Sequence, residues 1–479
     1  MVNVRGVTRM VFAFLLLLSI ATASRDGHQH SAECGHYHVP APEDGKTGDC
    51  ICSSNIDVIP CECDEHSLET FNKQTVNPLL QQMMGRVFFR YFKVNLEREC
   101  PFWVDHDRCS IRDCAVETCT REELPVSLRS LPSAKTPSQG QMDKACAMEK
   151  ELSSVDTSLT NEQKVDVSNW EGLNDDNFCV MDDEDSSDCT YIDLSKNPER
   201  YTGYSGPPAN RIWRAIYEEN CFKPSEEFSA YSLARAMQLE TCVEKKAFYR
   251  LISGLHSSIS MHLCAEYLHP FGRWGPNYEE FFRRFDDSVT DNEGSSRVRN
   301  LYFTYSMVLR AVLKASPRLY AEQFYTGDPV DDELIRKDIR QFLHSLSHFR
   351  LRFDEHKLFC GDHIHKEQFR HHFRNISRIM DCVGCEKCRL WGKVQTQGIG
   401  TALKILFSDT AHMENLNLKR SEIVSLWNTL GRLSSSLIHL EMFKKALEAK
   451  PELAQPSPNE PNVIPFAPSA PVSSNRFEL

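Results

Sequence analysis

The sequence predicts a mainly α fold: a single large helical domain, with a short disulfide-stapled hairpin ahead of it and long loops interrupting it. Three observations predict this. Beyond about Arg211, apolar residues recur at helical spacing and no comparable series of alternating strands accompanies them. The 479 residues, 41% hydrophobic and 25% charged, suit a globular chain long enough to build its own core. The 19 cysteines are too many for an ordinary cytosolic enzyme and point to an oxidising compartment, where disulfides persist.

The elements follow in chain order. Arg5 and Arg9 precede the apolar run Val11–Leu18, and Ala21-Thr22-Ala23 supplies small residues for cleavage. Residues 1–23 therefore read as a secretory signal peptide, too short for a stable anchor, and no later stretch reaches the roughly 18 apolar residues of a membrane helix. Residues 24–49 form a flexible segment holding His28, His30, His36 and His38 without fixed ligand spacing, so no metal is assigned there. Residues 50–63 pair Cys50-Ile51-Cys52 with Cys61-Glu62-Cys63 around a strand-and-turn sequence. Nested bridges Cys50–Cys63 and Cys52–Cys61 would staple a hairpin, with zinc as the alternative for four thiolates.

A helix is expected over Asn77–Leu96. The polar stretch Thr120–Asp166, carrying Cys146, predicts a long mobile loop, and Asp182-Asp183-Glu184-Asp185 a solvated face. Further on, Tyr278, Phe281, Phe282 and Phe285 follow the helical period, as do Leu301, Tyr305, Val308, Leu309 and Val312. Ile335, Ile339, Phe342, Leu343 and Leu346 follow the acidic start Asp331-Asp332-Glu333, which complements a helix dipole. Ile423, Leu426, Leu430, Leu433, Leu437 and Leu440 make the longest stripe. Seven prolines between Pro451 and Pro471 leave residues 450–479 as a flexible tail. Asn375-Ile376-Ser377 is a glycosylation sequon. With 55 basic against 67 acidic residues, the net charge of -12 argues against a nucleic-acid partner.

Chemistry concentrates in the cysteines. Cys382-Val383-Gly384-Cys385-Glu386-Lys387-Cys388 overlaps two C-x-x-C units. An iron–sulfur cluster would need a fourth ligand where Arg389-Leu390-Trp391 stands, and a zinc site likewise lacks a local fourth ligand. Redox exchange remains, with Lys387 and Arg389 placed by sequence to favour a thiolate. Cys109-Ser110-Ile111-Arg112-Asp113-Cys114 is a second pair; alone it reads as a structural disulfide, but two pairs far apart suggest a relay of direct sulfur–sulfur attack. Such a relay needs a terminal acceptor that cysteines cannot supply and a flavin could. No Gly-x-Gly-x-x-Gly follows a strand, so a flavin would sit among helices, held by arginines and aromatic rings.

Cys100-Pro101-Phe102-Trp103, the run Cys109-x4-Cys114-x4-Cys119, Asn197-Pro198-Glu199-Arg200-Tyr201-Thr202-Gly203-Tyr204 and Cys382-Val383-Gly384-Cys385-x-x-Cys388-Arg389-Leu390-Trp391-Gly392 resemble the endoplasmic reticulum oxidoreductins, in order from about Cys50 to Ala449. The resemblance implies a catalytic domain over 50–449, including a mobile loop 105–166, that binds FAD within a helix bundle and oxidises protein disulfide isomerase and related thioredoxin-like proteins in the endoplasmic reticulum lumen. Electrons pass to O2 with release of H2O2, and membrane association is at most peripheral.

By position, Cys385–Cys388 corresponds to the inner disulfide, with Cys388 nearer the flavin, and Cys109–Cys114 to the shuttle, with Cys109 attacked by reduced isomerase. Arg200, Thr202, Trp213, Ser253, His256, Arg284 and Arg297 match FAD-contacting positions. Cys119 and Cys146 correspond to regulatory cysteines that trap the shuttle as Cys109–Cys146 and Cys114–Cys119. Structural bridges implied are Cys50–Cys63, Cys52–Cys61, Cys100–Cys382 and Cys221–Cys242; Cys34, Cys179, Cys189, Cys264 and Cys360 receive no role. The tail Arg476-Phe477-Glu478-Leu479 is not a Lys-Asp-Glu-Leu retrieval signal, so retention is expected through a partner. The reading from a different class is a non-enzymatic disulfide-stapled or zinc-binding luminal interaction protein.

Overall fold

The computed structural model describes residues 65–100, 102–103, 108–129, 189–219, 243–270, 272–290, 293–347, 373, 375–408 and 410–449. Outside them lie the expected signal peptide, the hairpin cysteines Cys50, Cys52, Cys61 and Cys63, the regulatory Cys146, the pair Cys221 and Cys242, the acidic patch and the Pro-rich tail.

The first helix, α1 (Glu65–Phe71), runs through a π-helical turn Asn72–Val76 into α2 (Asn77–Met84), whose second residue is Pro78. Asn72 fills that turn's interior: its amide donates to the Ser434 carbonyl (2.9 Å), and its oxygen accepts from the Tyr305 and Ser434 hydroxyls (2.6 and 2.7 Å). A short α3 (Val87–Arg90) follows. The helix expected to reach Leu96 does not. Tyr91–Val94 is strand β1, paired antiparallel with β2 (Thr190–Asp193), Tyr91 opposite Asp193 and Val94 opposite Thr190. Aromatic and β-branched residues fit a pleated ribbon better than a helix, and long-range pairing wins over local period. Arg90 anchors the ribbon's end through an ion pair with Asp193. Between the strands sits the four-residue α4 (Val126–Arg129). An isolated bridge from Thr118 to Ile192 attaches the segment carrying the second cysteine pair to β2.

The core is helical. It comprises α5 (Pro207–Glu219), α6 (Val243–Ala265), the hairpin β3 (Tyr267–His269) and β4 (Arg273–Gly275), α7 (Tyr278–Phe285), α8 (Gly294–Lys314), α9 (Ser316–Ala321), α10 (Pro329–Ser347), α11 (Glu386–Phe407) and α12 (Arg420–Ala449). The apolar stripes land where their spacing places them. Leu301, Tyr305, Val308, Leu309 and Val312 of α8 are buried, as are Ile335, Ile339, Phe342, Leu343 and Leu346 of α10 and all six stripe residues of α12. In α7, Phe281 and Phe285 are buried, and Asn277 caps the helix by accepting the Glu280 N–H at 2.9 Å.

Four long helices make the central bundle: α8 lies along α6 and α11, and α11 lies along α12. Two glycines permit the closest approaches. A Cβ on Gly254 of α6 would overlap the Asn300 carbonyl and Thr304 hydroxyl of α8, and one on Gly398 of α11 would overlap the Thr429 hydroxyl of α12. No helix among the described residues is long and apolar enough to cross a membrane.

Candidate functional site

Helix α11 begins at the cysteine cluster. Cys385 is its N-cap, in extended conformation (φ -93°, ψ 115°), and the Cys385 sulfur accepts the Cys388 N–H at 3.2 Å. Cys385 and Cys388 are joined by a disulfide; Cys385 is fully buried and Cys388 partly so. Cys382, one turn earlier, is bonded to Cys100 (S–S 2.08 Å) across 282 residues. The three sulfurs of the overlapping C-x-x-C units are thus taken up in two disulfides.

The second pair is also closed. Cys109 and Cys114 are bonded (S–S 2.09 Å) around a 3-10 turn, Arg112–Cys114. Cys114 is buried and Cys109 half-buried. This segment is docked on the start of α11: the Cys109 N–H donates to the Gly384 carbonyl (3.1 Å) and the Val116 N–H to the Glu386 carboxylate (3.1 Å). Asn197 grips it from the other side, accepting the Glu117 N–H (2.8 Å) and donating to the Glu117 carbonyl (3.0 Å), while the Asn197 carbonyl accepts the Trp391 indole N–H (2.7 Å). Asn197 and Glu386 stood within the quoted motifs, yet no local pattern signals these contacts, which depend on folding.

Between the pairs stands Thr202. The Thr202 carbonyl lies 3.9 Å from the Cys114 sulfur, and the hydroxyl lies 3.4 Å from the Cys385 sulfur and 3.3 Å from that of Cys388. The Tyr204 hydroxyl accepts the Gly384 N–H at 3.3 Å, fixing the turn before Cys385.

Cys388 opens onto a cavity between α5, α6, α7 and α11. Ile212, Ile216, Ile252, Leu255 and Ile259 form its apolar wall, and Arg200, Arg283, Arg284 and Lys387 its cationic groups. Of the residues expected at a flavin, Arg200, Thr202, Trp213 and Arg284 line it directly. His256 joins through Trp213, the two rings stacked at 3.5 Å and 14°, and through the Tyr217 hydroxyl, 2.9 Å from its Nδ1. Burial, with Arg297 and Arg284 nearby, holds His256 well below the usual imidazole range, so its ring is neutral.

Arg284 is paired with Glu280 (2.6 Å) and Arg297 with Glu293 (2.7 Å), and Arg297 donates to the Arg284 carbonyl at 2.7 Å. Ser253 is set back in α6, accepting from the Asn300 amide at 3.0 Å. Arg200 stacks on Trp274 (4.0 Å), and its buried Nε has no hydrogen-bond partner among the described residues. A cavity whose lining combines the stacked Trp213, guanidinium groups and the Cys388 sulfur matches a planar ring system carrying a pyrophosphate, so these residues fit FAD.

Lys387 and Arg389 divide the roles expected of them. Lys387 is buried beside Cys388, its ammonium lowered by burial and by Arg200, with Asp113 opposing. Arg389 instead braces backbone, donating to the Val383 carbonyl at 2.9 Å. Sequence reasoning missed Glu199: fully buried on the cavity wall, it accepts from the Gln395 amide (2.7 Å), and burial pushes its carboxyl up to about 7 against the pull of Arg432. Its signal was present as an acid inside the Asn197–Tyr204 run.

Cys119 is half-buried and outside any disulfide, its thiol raised by burial. Cys264 is buried and pushed up to about 12, also by burial, and Cys189 is buried. Asn375 is half-buried within a helical stretch.

The sequence pattern of Endoplasmic Reticulum Oxidoreductin 1 (ERO1) matches residues 75–440. The chain is 44% identical to human ERO1-like protein alpha over 450 residues (86% of this chain, 95% of that one) and 40% identical to the Drosophila melanogaster Ero1-like protein over 456 residues (86% and 94%). A solved double-cysteine variant of S. cerevisiae Ero1p is 31% identical, with a TM-score of 0.53, covering 81% of this chain and 99% of that one. A structure of Ero1p described as a source of disulfide bonds for oxidative protein folding matches with the same TM-score.

Proposed function

The chain belongs to the Endoplasmic Reticulum Oxidoreductin 1 family, and we propose that within it this protein is an FAD-dependent thiol oxidase that reoxidises protein disulfide isomerase in the endoplasmic reticulum lumen. The observation that carries this reading is the placement of two disulfides on either side of Thr202, the inner one bordering the flavin-shaped cavity.

A thiolate of the reduced isomerase attacks Cys109, the more accessible sulfur of the shuttle, and Cys114 leaves. Cys114 faces inward and passes the reduction to Cys385, freeing Cys388 on the cavity wall. Arg200, Arg284 and Arg297 would hold the pyrophosphate, Trp213 and His256 an aromatic ring, and the chemistry FAD supplies there is acceptance of two electrons and their delivery to O2 as H2O2. The apolar wall keeps water from Cys388, and Lys387 steadies negative charge on it.

Cys119 and Cys146 act as a brake by capturing Cys114 and Cys109. The structure holds the shuttle as Cys109–Cys114, which that trap would exclude. Cys146→Ala should raise the rate of oxygen uptake with reduced isomerase; an unchanged rate refutes the brake. For the function itself, purified protein should absorb near about 450 nm, release FAD on denaturation and consume O2 with reduced isomerase. A colourless protein with stoichiometric zinc would refute the reading in favour of a binding protein.

A further inference from the structure

Thr202 enters the sequence argument only as a residue matching a flavin contact, yet its nearest reactive neighbours are sulfurs. Its side chain is buried, 3% exposed, and its oxygen lies 3.3 Å from the Cys388 sulfur and 3.4 Å from that of Cys385. Neither disulfide sulfur carries a hydrogen, so any hydrogen bond must run from the hydroxyl to sulfur. The same oxygen accepts the Tyr204 N–H at 3.3 Å. That bond occupies a lone pair and leaves the O–H proton turned toward the sulfurs. Cys385 has a further donor, the Cys388 N–H at the start of α11, whereas among the described residues the Thr202 hydroxyl is the one donor to the Cys388 sulfur.

We propose that the Thr202 hydroxyl is the hydrogen-bond donor that steadies the Cys388 sulfur as it leaves the inner disulfide, making Thr202 a catalytic residue of the exchange. This rests on the thiol-oxidase reading above and deepens it. The step balances within the chain. Cys114 thiolate attacks Cys385, a Cys114–Cys385 bond forms, the Cys385–Cys388 bond breaks, and its electron pair leaves on Cys388. Cys109 then attacks Cys114, restoring the shuttle disulfide and releasing Cys385. Two shuttle thiols are oxidised and one inner disulfide is reduced; one of their protons ends on Cys385 and the other goes to solvent. The Thr202 carbonyl, 3.9 Å from Cys114, is placed to accept from that cysteine while it is still a thiol, so one residue addresses both partners of the exchange.

The test is an anaerobic redox titration of the full-length protein against reduced and oxidised dithiothreitol. After acid quench and alkylation under denaturing conditions, mass spectrometry reads the fraction of Cys385–Cys388 still bonded. Hydrogen bonds to charged groups are strong enough that Thr202→Val should shift the midpoint ratio about tenfold, about 30 mV, making the inner pair harder to reduce. Thr202→Ser, which keeps the hydroxyl, should stay within about twofold of the parent, the remaining hydrogen bond being intact. Equal midpoints for Val and parent overturn the proposal. So does a Ser variant that shifts as far as Val, because lost packing would then be the cause. Circular dichroism confirms folding of each variant. The titration needs neither flavin nor oxygen, so it can fail while the oxidase reading stands; a colourless parent would sink that reading separately.

Discussion

Cys388 is the residue on which the redox reading turns: among the described residues it alone of the bonded cysteines lines the cavity. Cys388→Ala should bring isomerase-dependent oxygen uptake to background, while the shuttle remains able to form a mixed disulfide, visible on a non-reducing gel. Glu199 offers a pH signature. Its carboxyl is raised from 4.5 to about 7 in the folded chain, so the folded state binds the proton more tightly than the unfolded one. Stability therefore falls as pH rises from about 4.5 to about 7, and the loss is complete above that window, on the order of 3 kcal/mol. Denaturant titrations of Glu199→Gln should show a flatter decline across that window; an identical slope would assign the pH response to another group. Both cysteine pairs were legible at this scale because their spacing is local. The Thr202 contacts were not, because two bonds to sulfur 183 and 186 residues away leave no local trace.

Helices with one apolar face announced themselves. The stripes of α8, α10 and α12 are buried where the 3.6 period puts them, since a helix must bury its apolar stripe against a neighbour. The failure at Tyr91–Val94 has the opposite cause: its strand identity depends on β2, a partner about a hundred residues away, and no local window contains that information. The glycines record a further demand, close approach of backbones. Gly254→Ala would drive a methyl onto the Asn300 carbonyl and Thr304 hydroxyl and should destabilise the protein by roughly 1–3 kcal/mol, read as a fall in the thermal midpoint. A midpoint equal to the parent's would mean that α6 and α8 can separate slightly without cost.

At the scale of the molecule, one bond joins distant parts. Cys100–Cys382 ties the segment before the shuttle to the segment before α11 across 282 residues. Replacing both cysteines by alanine should cost about 2–5 kcal/mol, since the unfolded chain regains the freedom the cross-link removed. Denaturant unfolding would measure it, and a loss near zero would show that strain or residual structure cancels the gain. The fold class was readable from length and periodicity, and the Cys100–Cys382 pairing was implied by the resemblance. The cavity was not, because α5, α6, α7 and α11 each contribute a few residues that only tertiary packing collects.

That same bond sets a leash. Cys109 follows Cys100 by nine residues and Cys385 follows Cys382 by three, so a fully stretched tether lets Cys109 roam only about 30 Å from its anchor. Confined to so small a radius, the two pairs meet at an effective concentration in the millimolar range. In the proposed relay, handover between them is then a unimolecular event, indifferent to how dilute the protein is, and concentration governs only the encounters with the outside donor and the final electron acceptor.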